Sequence, residues 1–289
     1  MNPERAQKAE IDRLRRSLDE MDRQLLTLLN RRMDVAKRIG ERKRRKAQLI
    51  FDPIREEEVV ADLIEQNTGS LSASGIRAIF QEIFSSSRAQ QGVLRIGCCG
   101  GAASLLAALR RFGASDQYRA VRSTEEGRRL LAEEAIDLLV LPKRRLLDLF
   151  LSLPHRPDTQ SPFAVCGEID LPYHLANRSM RRAGFYIVWL AAEPRGLPDC
   201  SLTQKAVFLM AGCSPEAIGR WRHRFGGCWQ RTCACAGTEW SPEGALLCLW
   251  ETFDPPPLET LRAGCLEICG DSAWIVHLGA YPVSLAARL

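Results

Sequence analysis

Cysteine is missing from the first part of the sequence, because all 11 cysteines of the 289-residue chain lie at or after Cys98. This shift in composition indicates that residues 1–92 and the remainder are different parts of one fused chain. An odd number of cysteines argues against a closed set of disulfides. We therefore expect reduced thiols that pack as small apolar groups.

Long apolar runs are missing as well. No window approaches the roughly 18 consecutive apolar residues of a membrane-spanning helix. The first residues, Met-Asn-Pro-Glu-Arg, contain no apolar stretch of the kind that directs export. The sequence therefore predicts a cytoplasmic protein with no membrane partner.

The chain also lacks a large excess of one charge sign, with 40 Lys and Arg against 35 Asp and Glu. That balance argues against a general polyanion binder. A basic run at residues 42–46 is followed by Glu56, Glu57 and Glu58 and has few aromatic neighbours. We therefore interpret the run as a solvated helix face and expect no nucleic-acid partner.

No common zinc-binding spacing is present. His223, Cys228, Cys233 and Cys235 are suitable ligand types, but their spacing matches no usual zinc pattern. We predict no metal and no other cofactor.

Proline is absent from residues 10–47, and the apolar residues there alternate spacings of three and four, which predicts one long helix with a heptad seam. The seam consists of Ile11, Leu14, Leu18, Met21, Leu25 and Leu28. Such a helix would extend about 57 Å, too far to pack within one small domain. Two shorter helices follow, one beginning at Asp52-Pro53 and one carrying Ile76, Phe80 and Ile83. These features predict an intertwined all-helical dimer.

The seam then changes from apolar to cationic. Its next position is Arg32, and Lys43 lies three turns further on at nearly the same azimuth. On the third helix, Ser87 and Gln91 continue the apolar stripe with polar groups. For Arg32 alone, a stem lying along apolar surface explains its position equally well. Together the four residues predict a polar, cationic pocket, because buried polar groups need partners or a ligand.

Residues 10–92 resemble the all-helical chorismate mutases, especially the mutase domain of bifunctional chorismate mutase/prephenate dehydratase enzymes. The resemblance rests on Leu14-Arg15-Arg16, Asn30-Arg31-Arg32, Ile39-Gly40 before Lys43, Phe51-Asp52-Pro53-Ile54-Arg55-Glu56, and the pair Ser87 and Gln91. It places the family's active-site residues at Arg15, Arg32, Lys43, Asp52, Arg55, Glu56, Ser87 and Gln91.

The resemblance implies that chorismate is the substrate and prephenate the product, formed by a pericyclic shift. Arg32 and Arg15 would hold the two carboxylates, with Arg15 reaching in from the partner of a homodimer. Lys43 and Gln91 would donate to the ether oxygen, and Glu56 would accept from the ring hydroxyl. Ser87, Asp52 and Arg55 would support these groups.

Residues 93–199 are predicted to be α/β, with a strand entering Gly100-Gly101 and further strands at 136–141 and 185–191. The order of elements resembles a prephenate dehydratase domain. However, Lys143-Arg144-Arg145 replaces the family's acid-amide-hydroxyl stretch, and Ala183-Gly184-Phe185 replaces its Thr-Arg-Phe motif. The second lobe is also missing, so we expect a truncated region without dehydratase activity.

Residues 200–289 are predicted to be α+β in the ferredoxin-like order βαββαβ. They resemble an ACT regulatory domain, ending in Leu278-Gly279-Ala280-Tyr281-Pro282. Residues 215–219 and 233–237 depart from the family's phenylalanine-binding patterns. A small-molecule effector remains a possible partner of this domain, whereas feedback by phenylalanine is not expected.

The sequence thus predicts a dimeric chorismate mutase of aromatic amino acid biosynthesis fused to two further domains. Three alternatives stay open: a mutase acting on 4-amino-4-deoxychorismate, a bifunctional enzyme that retains dehydratase activity, and a regulatory subunit without catalysis.

Overall fold

The computed structural model describes residues 3–45, 50–151, 162–170, 184–190, 202–234 and 246–283. Its first part contains three helices, α1 (Pro3–Arg45), α2 (Pro53–Gln66) and α3 (Ala73–Gln91). The backbone N–H of Arg55 donates to Asp52 Oδ1 over 3.1 Å, so Asp52 caps α2 as its sequence position predicts. Helix α1 starts before Glu10, because residues 3–9 are good helix formers that the apolar pattern does not mark.

The predicted seam of α1 is not covered by the other residues that the structure describes. Its six apolar residues, Ile11, Leu14, Leu18, Met21, Leu25 and Leu28, are each between 43% and 59% exposed. Among the described side chains of α1, burial is confined to Ala36 and Gly40, where α1 packs against α3. A helix of this length therefore finds little apolar surface to cover within its own chain.

The middle part is the predicted mixture of strands and helices. Five strands form one sheet in the order β2-β1-β3-β5-β4. Strands β1, β2 and β3 run parallel, whereas β5 and β4 are antiparallel to their neighbours. In chain order the elements are β1 (Arg95–Cys99), α4 (Ala102–Phe112), β2 (Gln117–Val121), α5 (Thr124–Ala132), β3 (Leu138–Pro142), a 3-10 turn (Lys143–Arg145), α6 (Leu146–Leu151), β4 (Phe163–Asp170) and β5 (Gly184–Leu190).

The last part has the βαββαβ order that the sequence predicts. Its four strands form an antiparallel sheet ordered β7-β8-β6-β9. The elements are β6 (Gln204–Cys213), α7 (Pro215–Phe225), β7 (Cys228–Ala234), β8 (Leu246–Phe253), α8 (Leu258–Cys269) and β9 (Trp274–Pro282). Trp221 of α7 packs edge-on against Trp250 of β8 with ring centroids 5.4 Å apart, which joins the helices to the sheet.

A single hydrophobic cluster connects the middle and last parts. It joins residues of β3 and β5, such as Leu139 and Val188, with Val207 of β6 and Val276 of β9. Strand β9 runs so close to β4 that a Cβ atom at Gly279 would overlap the backbone of β4. The two sheets therefore share a core across residue 200.

Buried charges also lie at this junction, in a group that we call the junction cluster: Lys143, Glu168, Lys205, Glu251 and Tyr281. Lys205 Nζ lies 2.9 Å from Glu168 and 2.9 Å from Glu251, and Lys143 Nζ contacts both carboxylates. The Tyr281 hydroxyl donates to Glu168 over 3.0 Å. Burial raises the pKa of Glu251 to about 7 despite the opposing effect of Lys143.

All seven cysteines whose side chains the structure describes are free thiols, and six of them are buried, which confirms the expectation for that set. Among the described helices, none is both long enough and apolar enough to cross a membrane.

Candidate active site

Arg32 lies on α1 where this helix faces α3. Its Nη1 donates to Ser87 Oγ, and its guanidinium carbon lies 5.5 Å from the ring centroid of Phe84. Burial lowers the pKa of Arg32, while the nearby carboxylate of Glu56 opposes that shift. Arg32 is therefore half-buried, and its guanidinium group makes a defined polar contact. The alternative, that Arg32 only lays its aliphatic stem along apolar surface, does not account for this contact.

Ser87 and Gln91 both lie on the inner face of α3. The Ser87 side chain is buried and donates to the Ile83 carbonyl over 2.6 Å, which leaves its oxygen to accept from Arg32. Gln91 Oε1 is buried and has no hydrogen-bond partner among the described residues. A buried amide without a partner is costly, so its position is suited to a ligand.

Two further positively charged side chains border this region. Lys43 is half-buried near the end of α1, and its Nζ donates to the Ile50 carbonyl over 3.2 Å. Arg55 is exposed on the first turn of α2, and its Nη1 lies 3.5 Å from Glu58. Exposed Asp52 is occupied with capping α2.

Glu56 is clamped between two arginines, and we call Glu56, Arg88, Arg111 and Asp116 the carboxylate clamp. Arg88 Nη1 donates to Glu56 Oε1, and Arg111 Nη1 donates to Glu56 Oε2 over 2.9 Å. Arg88 also donates to the Phe112 carbonyl over 2.6 Å and to Asp116 over 3.3 Å. Burial raises the pKa of Asp116 against the opposing effect of Arg88.

Sequence reasoning missed both arginines of the clamp. Arg88 continues the spacing of Phe80 and Phe84 on α3, so its inward position could have been found from the helical period. Arg111 belongs to α4, outside the helical part, and no pattern in the sequence links it to Glu56.

Arg15 stands apart from the other predicted site residues. Its side chain is 73% exposed, and its Nη1 lies 3.6 Å from Asp12. Seventeen residues of helix separate it from Arg32, a distance of about 25 Å. One chain therefore brings together Arg32, Ser87 and Gln91 but leaves Arg15 outside.

This arrangement suits an anionic ligand. Arg32 and Lys43 supply positive charge, Gln91 supplies an amide, and Glu56 supplies a fixed acceptor. Such groups can hold carboxylates and stabilise charge that develops on an oxygen.

No group of three or more metal-binding side chains occurs among the residues that the structure describes. Of the candidate zinc ligands, His223 is exposed on α7. Cys235 and the side chains of Cys228 and Cys233 lie outside the described set.

Residues 14–92 match the family model described as chorismate mutase type II. This confirms the resemblance drawn from the sequence. The bifunctional chorismate mutase/prephenate dehydratase of Stutzerimonas stutzeri is 26% identical over 168 residues, which cover 56% of this chain and 46% of the relative. The alignment is therefore longer than the three-helix part of the chain, residues 1–92. The chain spans about half the length of the curated relatives it matches.

Two solved structures show a distant likeness. GqqA, described as a novel type of quorum quenching acylase, has a TM-score of 0.44 and 17% identity, covering 67% of this chain and 97% of its own. Prephenate dehydratase from Streptococcus mutans has a TM-score of 0.41 and 13% identity, and the alignment covers 66% of this chain and 99% of that structure.

Proposed function

We propose that this protein is a chorismate mutase that converts chorismate to prephenate in phenylalanine and tyrosine biosynthesis. The observation that carries the proposal is the half-buried Arg32, held by Ser87 on the face of α3 that also presents Gln91, whose buried amide oxygen has no partner among the described residues. The match of residues 14–92 to the chorismate mutase type II family supports it.

The chemistry fits these side chains. The rearrangement is pericyclic, so the enzyme has to fold the enolpyruvyl arm over the ring and stabilise charge on the breaking ether oxygen. Arg32 binds one carboxylate through its planar fork. Lys43 and Gln91 donate to the ether oxygen, and Glu56 accepts from the ring hydroxyl. Ser87 positions Arg32, while Asp52 and Arg55 shape the edge of the pocket at the start of α2.

A homodimer completes the proposed site. The uncovered seam of α1 supplies the apolar surface for a second copy of the chain. Pairing along this seam brings Arg15 of one subunit to the pocket of the other, where it binds the second carboxylate. The exposure of Arg15 in one chain is consistent with that role.

The remaining parts are proposed to lack dehydratase chemistry. Lys143, the first of the three residues that replace the family's acid-amide-hydroxyl stretch, is engaged in the junction cluster, whereas Ala183 lies outside the described residues. Residues 200–289 are proposed to be an ACT-like domain with a small-molecule effector. We place the protein in the cytoplasm.

A retained dehydratase is the second candidate function, favoured by the relatives' bifunctional description. Incubation with prephenate separates the two proposals. Phenylpyruvate formed at an enzymatic rate would establish the second activity.

The direct test is the loss of chorismate absorbance, with prephenate identified as the product. Arg32→Ala should lower kcat/KM by about 10²- to 10³-fold, because a charge-assisted contact to the substrate is lost. Arg31→Ala removes an exposed arginine beside it and should leave the rate unchanged. A full-length protein that is folded but does not convert chorismate would refute the proposed function and favour a regulatory subunit.

A further inference from the structure

The carboxylate clamp joins the helical part to the region that follows it. Glu56 belongs to α2 and Arg88 to α3, whereas Arg111 is on α4 and Asp116 follows that helix. Arg111 therefore reaches the mutase domain from outside residues 14–92.

Arg111 is held firmly enough to direct Glu56. Its guanidinium carbon lies 5.3 Å from the ring centroid of Phe51 and 5.7 Å from that of Phe112. These two rings contact each other edge to face, with centroids 5.1 Å apart. The Arg111 side chain is 22% exposed, so solvent screens its bond to Glu56 only in part.

The charges of the clamp cancel. Two guanidinium groups, from Arg88 and Arg111, face two carboxylates, from Glu56 and Asp116. Each oxygen of Glu56 accepts from a different arginine. Glu56 can still accept from a neutral hydroxyl through a remaining lone pair, but its negative charge is already compensated.

We propose that Arg111 is a specificity-determining positioning residue, which makes Glu56 a receptor for a hydroxyl and not for an ammonium group. This inference rests on the proposed function, in which Glu56 contacts the substrate substituent that distinguishes chorismate from 4-amino-4-deoxychorismate. The amine of that analogue is protonated at neutral pH. It would add a positive charge next to Arg88 and Arg111, whereas a hydroxyl would not.

The experiment compares kcat/KM for chorismate and for 4-amino-4-deoxychorismate in the full-length protein. Arg111→Gln leaves the clamp one positive charge short, so the ratio should shift by roughly tenfold toward the amino analogue. Arg111→Lys keeps the charge but loses the planar group beside Phe51 and Phe112, so the ratio should shift less than in Arg111→Gln. Arg111→Met keeps the aliphatic stem beside Phe51 and Phe112 and gives the same test if the Gln variant does not fold.

The matched control is Arg77→Gln. Arg77 on α3 binds Glu57, the residue after Glu56, through two bonds of 2.7 Å. Its removal should affect stability and leave the substrate ratio unchanged. If the wild type converts chorismate and neither Arg111→Gln nor Arg111→Met shifts the ratio, the inference is wrong while the proposed function stands. If the wild type converts neither substrate, both are wrong.

Discussion

Gln91 is the residue whose chemistry can be tested most directly. Its Oε1 is buried and unpartnered among the described residues, and the proposed mechanism uses its N–H₂ as a donor to the ether oxygen. An amide donates at any ordinary pH, whereas a carboxyl group donates only while it is protonated.

Gln91→Glu should therefore be impaired at neutral pH and recover as the solution is acidified toward the reference Glu pKa of about 4.3. Gln91→Ala should lose about 10²- to 10³-fold in kcat with no recovery in acid. The measurement is kcat against pH for both variants and the wild type. If kcat of the Gln91→Glu variant did not change with pH, the proposed contact between Gln91 and the ether oxygen would be wrong.

The sequence predicts which residues on α1 and α3 face inward, because the helical period assigns them to one side. Arg32 and Ser87 were found in this way and lie in contact. The partners of Glu56 were not found, because Arg111 meets it through tertiary packing of α4. A pattern along the chain contains no information about such a contact.

At the scale of elements, the crossing of α1 and α3 sets the position of Gln91. A Cβ atom at Gly40 would lie 2.6 Å from Gln91 Cα and 2.8 Å from its Cβ. The two backbones can approach this closely only because Gly40 has no side chain.

Gly40→Ala should push α3 away and displace Gln91, which lowers kcat and costs about 1 to 3 kcal/mol of unfolding free energy. This loss should occur although alanine is the better helix former by about 1 kcal/mol. Gly219→Ala is the control, because a Cβ there meets nothing within 4 Å on exposed α7. It should leave kcat unchanged and raise stability slightly. Equal effects on unfolding by urea in the two variants would contradict this account.

Elements with clear end signals could be predicted well. The start predicted for α2 at Asp52-Pro53 agrees with the structure, in which Asp52 caps the helix and Pro53 is its first residue. Strand β2 and helix α5 were missed. Gln117, Arg119 and Ala120 of β2 are exposed and Val121 is its one buried residue, so five residues at the sheet edge give too short an apolar pattern to mark a strand.

At the scale of the whole molecule, the proposed dimer predicts complementation. Arg15→Ala and Arg32→Ala homodimers should both be nearly inactive, because every pocket lacks one arginine. Unfolding the two together and refolding them should form heterodimers with one complete pocket and one that lacks both arginines. Activity should then return to at most about half of wild type per heterodimer. Verified heterodimers without activity would refute a site shared between subunits.

The junction cluster predicts a pH effect on stability. The pKa of Glu251 is raised to about 7 in the folded protein, whereas an unfolded Glu titrates near 4.3. Between about pH 4.3 and pH 7 the folded state binds more protons at Glu251 than the unfolded state does. The contribution of Glu251 to stability therefore falls as pH rises through this range.

Glu251→Gln removes this titration. The unfolding free energy of the variant minus that of the wild type should therefore increase by about 1 to 3 kcal/mol from pH 5 to pH 7.5. Urea unfolding at each pH measures it. His277, whose pKa burial lowers to about 4, has the opposite pH effect in both proteins and cancels in the difference. A difference that does not change with pH would contradict the prediction.

The βαββαβ order of the last part could be read from the sequence, but the core that it shares with the middle part could not. Both sides of that core are strands with buried apolar residues, and such runs do not indicate which other strand they pack against. Only the path of β9 beside β4 shows which runs meet.

The junction cluster also limits which C-terminal parts could replace the present one by recombination. Lys143 and Glu168 come from one side of the junction, and Lys205 and Glu251 from the other. A foreign C-terminal module grafted here by recombination would leave Lys143 and Glu168 paired with each other but without Lys205 and Glu251, and buried charged groups that lose hydrogen-bond partners cost stability. Substitutions of these residues on one side of the junction are therefore expected to be matched by substitutions on the other side.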